Sequence, residues 1–524
     1  MLDFLKKRLE RIPAGGRKNK GKESTQSVRA NFELELDSVD QHPWEHPYLT
    51  ENNIHRFRDY SESVWQIALD YERNHAKPLK IAFMVNLAQN MYKWARMAKI
   101  QGADVSLYLH PMDHTALSSP EWEEFDGEYS NVLDGMGFLE ANPQIQIDVQ
   151  CENIPMEGSN FLSSYHEFQR GNRKPFLALL ARTPYLRNEA LLKYEGFYPY
   201  YTWAKDLAEY DVLYAASSPV AAFASGQPYC LFSVGGDLMF DCGRYDDYGQ
   251  LMSLTFNAAR FLLASNPHTL GHSRRLGFKN ALYLPYPMDD GRYCPGEGQA
   301  RKIWEERYGT GVYVLMTSRL DVKYKGQDNA FFAALVHAVR QRPQLRLIFL
   351  AWGENANAFR EQVEAAGLSD HFIILNPVGK KRLIDYYRSC DIVLDSFVYG
   401  YYGATALEAA SVGKPVIMKL RKEHYAPLYN GDVMPVFHAD TSDEMGNALI
   451  TLCDHPMLRL QSGEEMRSWL VRNHGERKTA PLMLALLRLT ADRVALPKEL
   501  HNPLLDEETE QERIYDEGCL RKRE

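Results

Sequence analysis

The sequence predicts an α/β protein made of two doubly wound units that face each other across a cleft. Three observations carry this. Short apolar runs alternate with helical stretches from Lys80 onward, the same alternation restarts more regularly after residue 310, and the turn Pro285–Tyr286–Pro287 stands between the two series. Apolar runs without polar alternation are strands buried on both faces, which is the pattern of a parallel sheet covered by helices.

In order, Ile81–Val85 reads as a strand, Leu87–Gln101 as a helix and Val105–His110 as the next strand. Further strands are expected at Phe176–Ala181, Val212–Ala216, Cys230–Val234, Phe261–Ala264 and Ala281–Leu284. In the second series the strands are Tyr313–Thr317, Leu345–Leu350, Phe372–Leu375, Ile392–Asp395 and Val416–Lys419. The helices between and after them are Asp328–Arg340, Ala356–Ala366, Lys381–Arg388, Ala404–Val412 and Glu444–Cys453. An apolar helix is expected at Ala480–Val494, and the highly charged residues 499–524 are expected to be mobile. Two such Rossmann-like units place ligands beyond the carboxyl ends of their strands, so one unit can hold each of two substrates.

The composition is that of a globular protein: 524 residues, 45% hydrophobic and 25% charged, enough for two large cores. No apolar run approaches the roughly 20 residues of a membrane span, and no secretory signal is expected at the start. The seven cysteines include no C-x-x-C pair, which speaks against a zinc site or a disulfide framework and for a cytoplasmic setting. Of the net charge of −9, the first 29 residues contribute +6, from nine Lys/Arg against three Asp/Glu, which leaves −15 for the rest. An acidic body argues against nucleic acid as a partner, because affinity for it comes from neutralising phosphates. The arm itself places Leu2, Leu5, Leu9 and Ile12 on one helical face among basic residues. That face suits peripheral contact with an anionic membrane through residues 1–22, the other reading being a solvated tail.

Several chemistries lack their motifs. No G-x-G-x-x-G joins a strand to a helix, and H-E-x-x-H, G-x-S-x-G and D-x-D are absent, so a dinucleotide cofactor, a zinc protease site and an acidic metal clasp have no support. Gly16, Gly21 and Lys22 have the spacing of a phosphate loop, but Glu23 replaces the Ser/Thr and no strand precedes them. No metal or other cofactor is expected.

The candidate site lies in the second series. Arg319 and Lys325 leave the carboxyl end of strand Tyr313–Thr317; a guanidinium fork and a compact ammonium suit a diphosphate that gains charge as it departs. Gly403 lets backbone approach a ligand, and the free amides of Ala404 and Thr405 open a helix, which is an anion site. Glu408, one turn on, can accept from both hydroxyls of a ribose diol. In the first series Asp237 follows strand Cys230–Val234 and so points at the cleft; as a catalytic residue it would orient the acceptor hydroxyl or the transferred sugar, the other reading being an aspartate that caps its own loop. The aromatic run Tyr194, Phe197, Tyr198, Tyr200, Tyr201 and Trp203 reads as core before sugar platform, and His268 and His272 as bystanders.

These residues resemble a family. Ser318-Arg319, Lys325-Gly326, Gly353, Asp391-Ile392-Val393-Leu394 and Gly403-x3-Leu407-Glu408-Ala409-Ala410-x2-Gly413-x-Pro415-Val416 look like the nucleotide-sugar domain of the family 4 (GT4) retaining glycosyltransferases. More loosely, Gly235-Gly236-Asp237 and Leu284-Pro285-Tyr286-Pro287-Met288-Asp289 resemble that family's acceptor-side loop and interdomain turn. The resemblance implies a GT-B fold, with Arg319 and Lys325 on the donor diphosphate and Glu408 on the ribose. It also implies that the amides near Gly403 contact phosphate or sugar. One departure stands out. The family's first glutamate, eight positions before the second, corresponds here to Gly400, so Tyr399, Tyr401 or Tyr402 is a candidate for the sugar contact.

The expected division is a basic arm (1–30), an acceptor-side unit (31–285), a nucleotide-sugar unit (286–480) and a returning helix with a charged tail (481–524). The expected activity is transfer of a sugar from a nucleoside-diphosphate donor to a hydroxyl of a glycan or lipid-linked acceptor, with retention and without metal. Bacterial surface polysaccharide or glycoconjugate assembly is the expected setting, in the cytoplasm or at the inner face of the membrane. The alternative is a non-catalytic nucleotide-sugar-binding partner in a glycan assembly complex.

Overall fold

A computed structural model describes residues 45–75, 77–109, 115–153, 204–216, 219–233, 235–244 and 247–521. The N-terminal arm, the expected strand Phe176–Ala181 and the aromatic run 194–203 lie outside the described residues.

The first unit opens with α1 (Glu51–Glu72), which the sequence reading passed over. Thr50 caps it by accepting from the Asn53 amide, and Ile54, Phe57, Val64, Trp65 and Ala68 form its buried stripe. Then come β1 (Lys80–Met84), α2 (Asn90–Ile100), β2 (Asp104–Leu109), the short helix α3 (Pro120–Glu124) and β3 (Gln150–Asn153). They are followed by β4 (Val212–Ala216), β5 (Tyr229–Phe232), β6 (Phe261–Ala264), α4 (Pro267–Arg275) and β7 (Ala281–Tyr283). All seven strands are parallel, in the order β3-β2-β1-β4-β5-β6-β7.

The second unit contains β8 (Val312–Met316), α5 (Asn329–Gln341), β9 (Leu345–Leu350), β10 (Phe372–Leu375), α6 (Lys380–Ser389) and β11 (Ile392–Leu394). After these come α7 (Ala404–Ser411), β12 (Val416–Met418) and β13 (Phe437–His438). Its six strands are parallel too, ordered β10-β9-β8-β11-β12-β13. Asp328 caps α5, and Phe331, Ala334, Leu335 and Ala338 bury one face of it at helical spacing. In both sheets the strand order reverses beside the first strand, between β1 and β4 and between β8 and β11. At such a point the flanking loops diverge and leave a crevice.

Beyond the sheets, α8 (Pro456–His474) leads directly into α9 (Glu476–Ala491). The helix expected from Ala480 thus begins at Glu476. It returns to the first unit, where Arg488 Nε lies 3.0 Å from Glu72 Oε2 and Cys230 Sγ lies 3.2 Å from Thr490 Oγ1. The strand-like turn between the units is tied to the same place, with Met288 N donating to His474 O at 3.0 Å.

The charged tail differs from expectation. Leu504 is fully buried, Tyr48 OH donates to Pro503 O at 3.0 Å, and Arg274 Nε reaches Glu512 Oε1 at 2.7 Å, both side chains being buried. α10 (Glu510–Arg521) follows. Composition suggested mobility, but a few specific contacts to α1 and α4 dock the segment.

Candidate active site

The reversal between β8 and β11 sets the site. Those strands are paired, Val314 with Ile392 and Met316 with Leu394, so the loops leaving their carboxyl ends lie side by side. Ser318 Oγ donates to Asp395 Oδ1 at 2.7 Å, Lys325 Nζ stands 3.9 Å from the same oxygen, and the Phe397 amide donates to Lys325 O at 3.0 Å. Arg319 Nε lies 3.1 Å from Asp321 Oδ2, and its guanidinium lies over the Tyr324 ring. Arg319 and Lys325 are each a little over a quarter exposed. Arg319 is oriented by an acid of its own loop and Lys325 by the acid that follows β11, yet both are partly open to solvent. Asp395 is buried, and among the described residues its Oδ2 has no hydrogen-bond partner.

α7 begins in the same place. Gly403 is exposed and extended, and a side chain there would meet open space. Among the described residues no side chain caps the helix, so its first amides and the positive end of its dipole face the crevice. Thr405 Oγ1 is 3.2 Å from Thr317 Oγ1, which ties this end to β8. The structure thus brings Arg319, Lys325, Gly403, Ala404 and Thr405 together at one crevice.

Glu408 is placed differently from a freely accepting carboxylate. It is 1% exposed; Lys380 Nζ donates to its Oε1 at 2.7 Å and Tyr387 OH to its Oε2 at 3.3 Å. From the first unit, Lys93 Nζ reaches to 4.0 Å and is also bonded to Tyr286 OH at 3.0 Å. Glu123, fully buried, accepts from Tyr293 OH at 2.9 Å. Burial pushes the Glu123 carboxyl above its usual range, against the pull of Lys93, Lys380 and Arg292. Burial would lower Lys93, but Tyr286, Glu408 and Glu123 more than offset that and hold it above the usual range.

At Gly400 the backbone has φ +76°, and a Cβ would come 2.7 Å from Arg421 Cγ. A glutamate does not fit there without moving the chain. Tyr402, a candidate for the sugar contact, turns inward instead. It is 2% exposed, stacks on Tyr425 at 4.3 Å, and shares a 2.6 Å hydrogen bond with Tyr429 OH. Tyr401 is also buried, 2.8 Å from His424 Nδ1.

In the first unit Asp237 is fully buried and its Oδ1 accepts from Ser233 Oγ at 2.7 Å and from the Leu238 amide at 2.9 Å. That is loop-capping geometry, and full burial corrects the expectation that Asp237 orients an acceptor hydroxyl or sugar in the cleft. The residue nearer the second unit is His268, whose ring centroid is 4.7 Å from that of Tyr401 and whose Nε2 fills the space a side chain at Gly235 would need. Burial, reinforced by His424, lowers its pKa to about 4.

With this geometry in place, the likeness to known proteins has a location. Residues 311–455 match the family model described as glycosyl transferases group 1. Anabaena Alr3699/HepE, solved with UDP and glucose, superposes over 78% of this chain and 99% of its own, with a TM-score of 0.52 at 16% identity. The sucrose-phosphate synthase of Thermosynechococcus elongatus superposes over 79% and 98%, with a TM-score of 0.50 at 14% identity. The fold is GT-B. Two curated relatives match in sequence. The mannosylfructose-phosphate synthase of Agrobacterium fabrum is 31% identical over 151 residues, covering 27% of this chain and 33% of that protein. A D-inositol 3-phosphate glycosyltransferase from Xylanimonas cellulosilytica is 30% identical over 131 residues, covering 24% and 30%. The chain thus matches about a third of the length of these relatives. The GT-B units face each other here with Lys93 of one beside Glu408 of the other.

Sequence reading missed Asp395, Lys380, Tyr387, Lys93 and Glu123. Asp395 was within reach, since it ends a strand at the reversal point. The other four carry no local signal, because their roles depend on which helix faces meet.

Proposed function

We propose that the protein is a glycosyltransferase that moves a sugar from a nucleoside-diphosphate donor to a hydroxyl of a glycan or lipid-linked acceptor. The observation that supports it most is the convergence of Arg319, Lys325 and the uncapped start of α7 at the β8/β11 reversal point. Two cations and helix amides are a diphosphate site. They stabilise the charge that appears on the leaving group, so catalysis is positioning plus electrostatics. Retention of configuration, kinship with family 4, and a place in bacterial surface polysaccharide or glycoconjugate assembly complete the reading. In it Glu408 takes the ribose diol, and no divalent metal is needed because the cations do that work. Among the described residues no helix is long and apolar enough to cross a membrane. Residues 1–22 would supply a weak contact with anionic lipid.

The second reading is a nucleotide-sugar-binding partner without turnover. It rests on Gly400, where the side chain that contacts the donor sugar in the resembling family is missing and has no room. Incubation with UDP-, GDP- and ADP-sugars and an acceptor extract, with and without EDTA, separates the two. Transfer in EDTA supports turnover and metal independence; transfer only with added magnesium or manganese overturns the metal independence. Nucleotide binding without transfer of any sugar favours the second.

A further inference from the structure

Between β2 and β3 the first unit carries an insertion that no sequence motif marked. It includes the turn Ala116–Ser118 and then α3, and the chain that follows crosses to the second unit. There the Tyr129 amide donates to Pro377 O at 2.9 Å and the Gly379 amide to Gly127 O at 3.0 Å, which makes an isolated antiparallel bridge between Glu128 and Val378. Arg382 reinforces it, with Nε 3.2 Å from Asp126 Oδ1 and Nη2 2.9 Å from Asp126 O. A side chain at Gly379 would collide with the Phe125 carbonyl oxygen, so the contact needs glycine there. Trp352, just after β9, packs against the insertion's own small core of Trp122, Val132 and Phe138. The insertion therefore lies over the carboxyl ends of β9 and β10, the side on which a ligand leaving the β8/β11 crevice would extend.

The same element borders the cluster that covers Glu408, to which it contributes the buried Glu123. α6 begins at Lys380, immediately after the bridged residue Gly379, and Lys380 holds Glu408. Lys93 and Glu123 reach the cluster from the first unit and are buried. Arg292 ties Glu124 to the connection between the units at 2.8 Å. With Glu408 at 1% exposure, no ribose can reach its carboxylate while these contacts hold.

We propose that residues 120–129 form a gate on the donor site, which must part from Pro377–Gly379 before a nucleoside diphosphate can engage Glu408. The proposal rests on the donor-site reading above. The physical basis is a contrast in cooperativity. Each strand of the sheets is held by a ladder of bonds inside a core, whereas among the described residues the contact of 126–129 with 377–382 has two backbone bonds and the half-exposed Arg382–Asp126 pair, the base of the gate staying anchored through Trp122, Glu123 and Glu124. It can open without unfolding either unit.

Glu128 and Val378 face each other as a non-hydrogen-bonded antiparallel pair, whose Cβ atoms are close enough for a disulfide. The test is the double variant Glu128→Cys/Val378→Cys, with UDP, GDP and ADP binding measured by stopped flow and calorimetry before and after dithiothreitol. The reduced variant should bind as the wild type does. The oxidised variant should associate at least tenfold more slowly, or bind at least tenfold more weakly, and dithiothreitol should restore it. Oxidised protein that binds like the reduced form overturns the gate and leaves the donor site standing. Wild-type protein that binds none of the three nucleotides overturns the donor-site reading instead. The gate is then judged by amide exchange in the unmodified protein. Tyr129 and Gly379 should exchange together, at least 100-fold faster than Val314 in β8, and protection equal to that of Val314 overturns it.

Discussion

Lys380 Nζ stands 2.7 Å from Glu408 Oε1, which joins the first residue of α6 to the second turn of α7. The pair fixes the carboxylate beneath the crevice, and Tyr387 holds its other oxygen. A buried charge of this kind is costly to leave alone, so each partner matters more to the other than to net stability.

Glu408→Gln should weaken binding of a nucleoside diphosphate by roughly 1–3 kcal/mol, because an amide accepts at one atom only. Calorimetry with UDP, GDP and ADP reads this, and unchanged affinity for whichever binds removes the ribose role. Lys380→Met, which removes the nearest cation and leaves the buried carboxylate only Tyr387 and the more distant Lys93, should destabilise the fold by about 3 kcal/mol. The double variant should recover most of that in urea unfolding.

Arg319→Ala and Lys325→Ala should each slow transfer by about 2–4 kcal/mol in activation free energy, the scale for losing one preorganised contact to a developing charge. Both side chains are partly exposed, so the fold should tolerate either change. Wild-type kcat/KM in both variants would refute the diphosphate assignment.

Gly400→Glu, which writes back the residue expected from the resembling family, should not rescue or improve activity. The left-handed backbone and the nearness of Arg421 should instead make it less stable by roughly 1–3 kcal/mol. A variant as stable as the wild type, with higher turnover, would show that the loop rearranges to admit the side chain.

Stability should fall in mild acid because of His474. This imidazole is fully buried, 2.8 Å from Tyr429 OH and in ring contact with Tyr402 and Trp469; burial lowers its pKa to about 4, and Lys478 pushes the same way. The unfolded chain binds the proton near pH 6.5 and the folded chain near 4. The neutral ring's contribution is therefore complete above pH 6.5 and lost as pH falls toward 4, up to about 3 kcal/mol. His474→Gln should make the unfolding free energy less steep over that window, with His268 and His272, whose pKa values burial also lowers, carrying the remaining slope, and an equally steep profile in the variant would contradict this.

Much of the second sheet was legible in the sequence. Strands Leu345–Leu350 and Phe372–Leu375 fall where apolar runs placed them, since a strand buried on both faces has no other pattern available. Arg319, Lys325 and Gly403 were findable for a related reason. In a parallel sheet the carboxyl end of a strand is a place, and residues that follow two adjacent strands must meet. α1 carried a readable stripe from Ile54 to Ala68, but its many charged residues hid it among polar sequence.

The sequence by itself thus determined the alternation, the two sheets and the cations and amides that line one crevice, because these follow from interactions among near neighbours in the chain. Only the tertiary structure decided which way Tyr402 turns, since its partners Tyr425 and Tyr429 come from a later helical turn. It also decided that Lys93, Lys380 and Tyr387 surround Glu408, and that residues 125–129 bridge to 377–379. The contacts of Lys93 with Glu408 and of 128 with 378 depend on how two finished units dock, and those of Lys380, Tyr387 and Tyr402 on which helix faces meet inside one unit; no local pattern of apolar and polar residues encodes either.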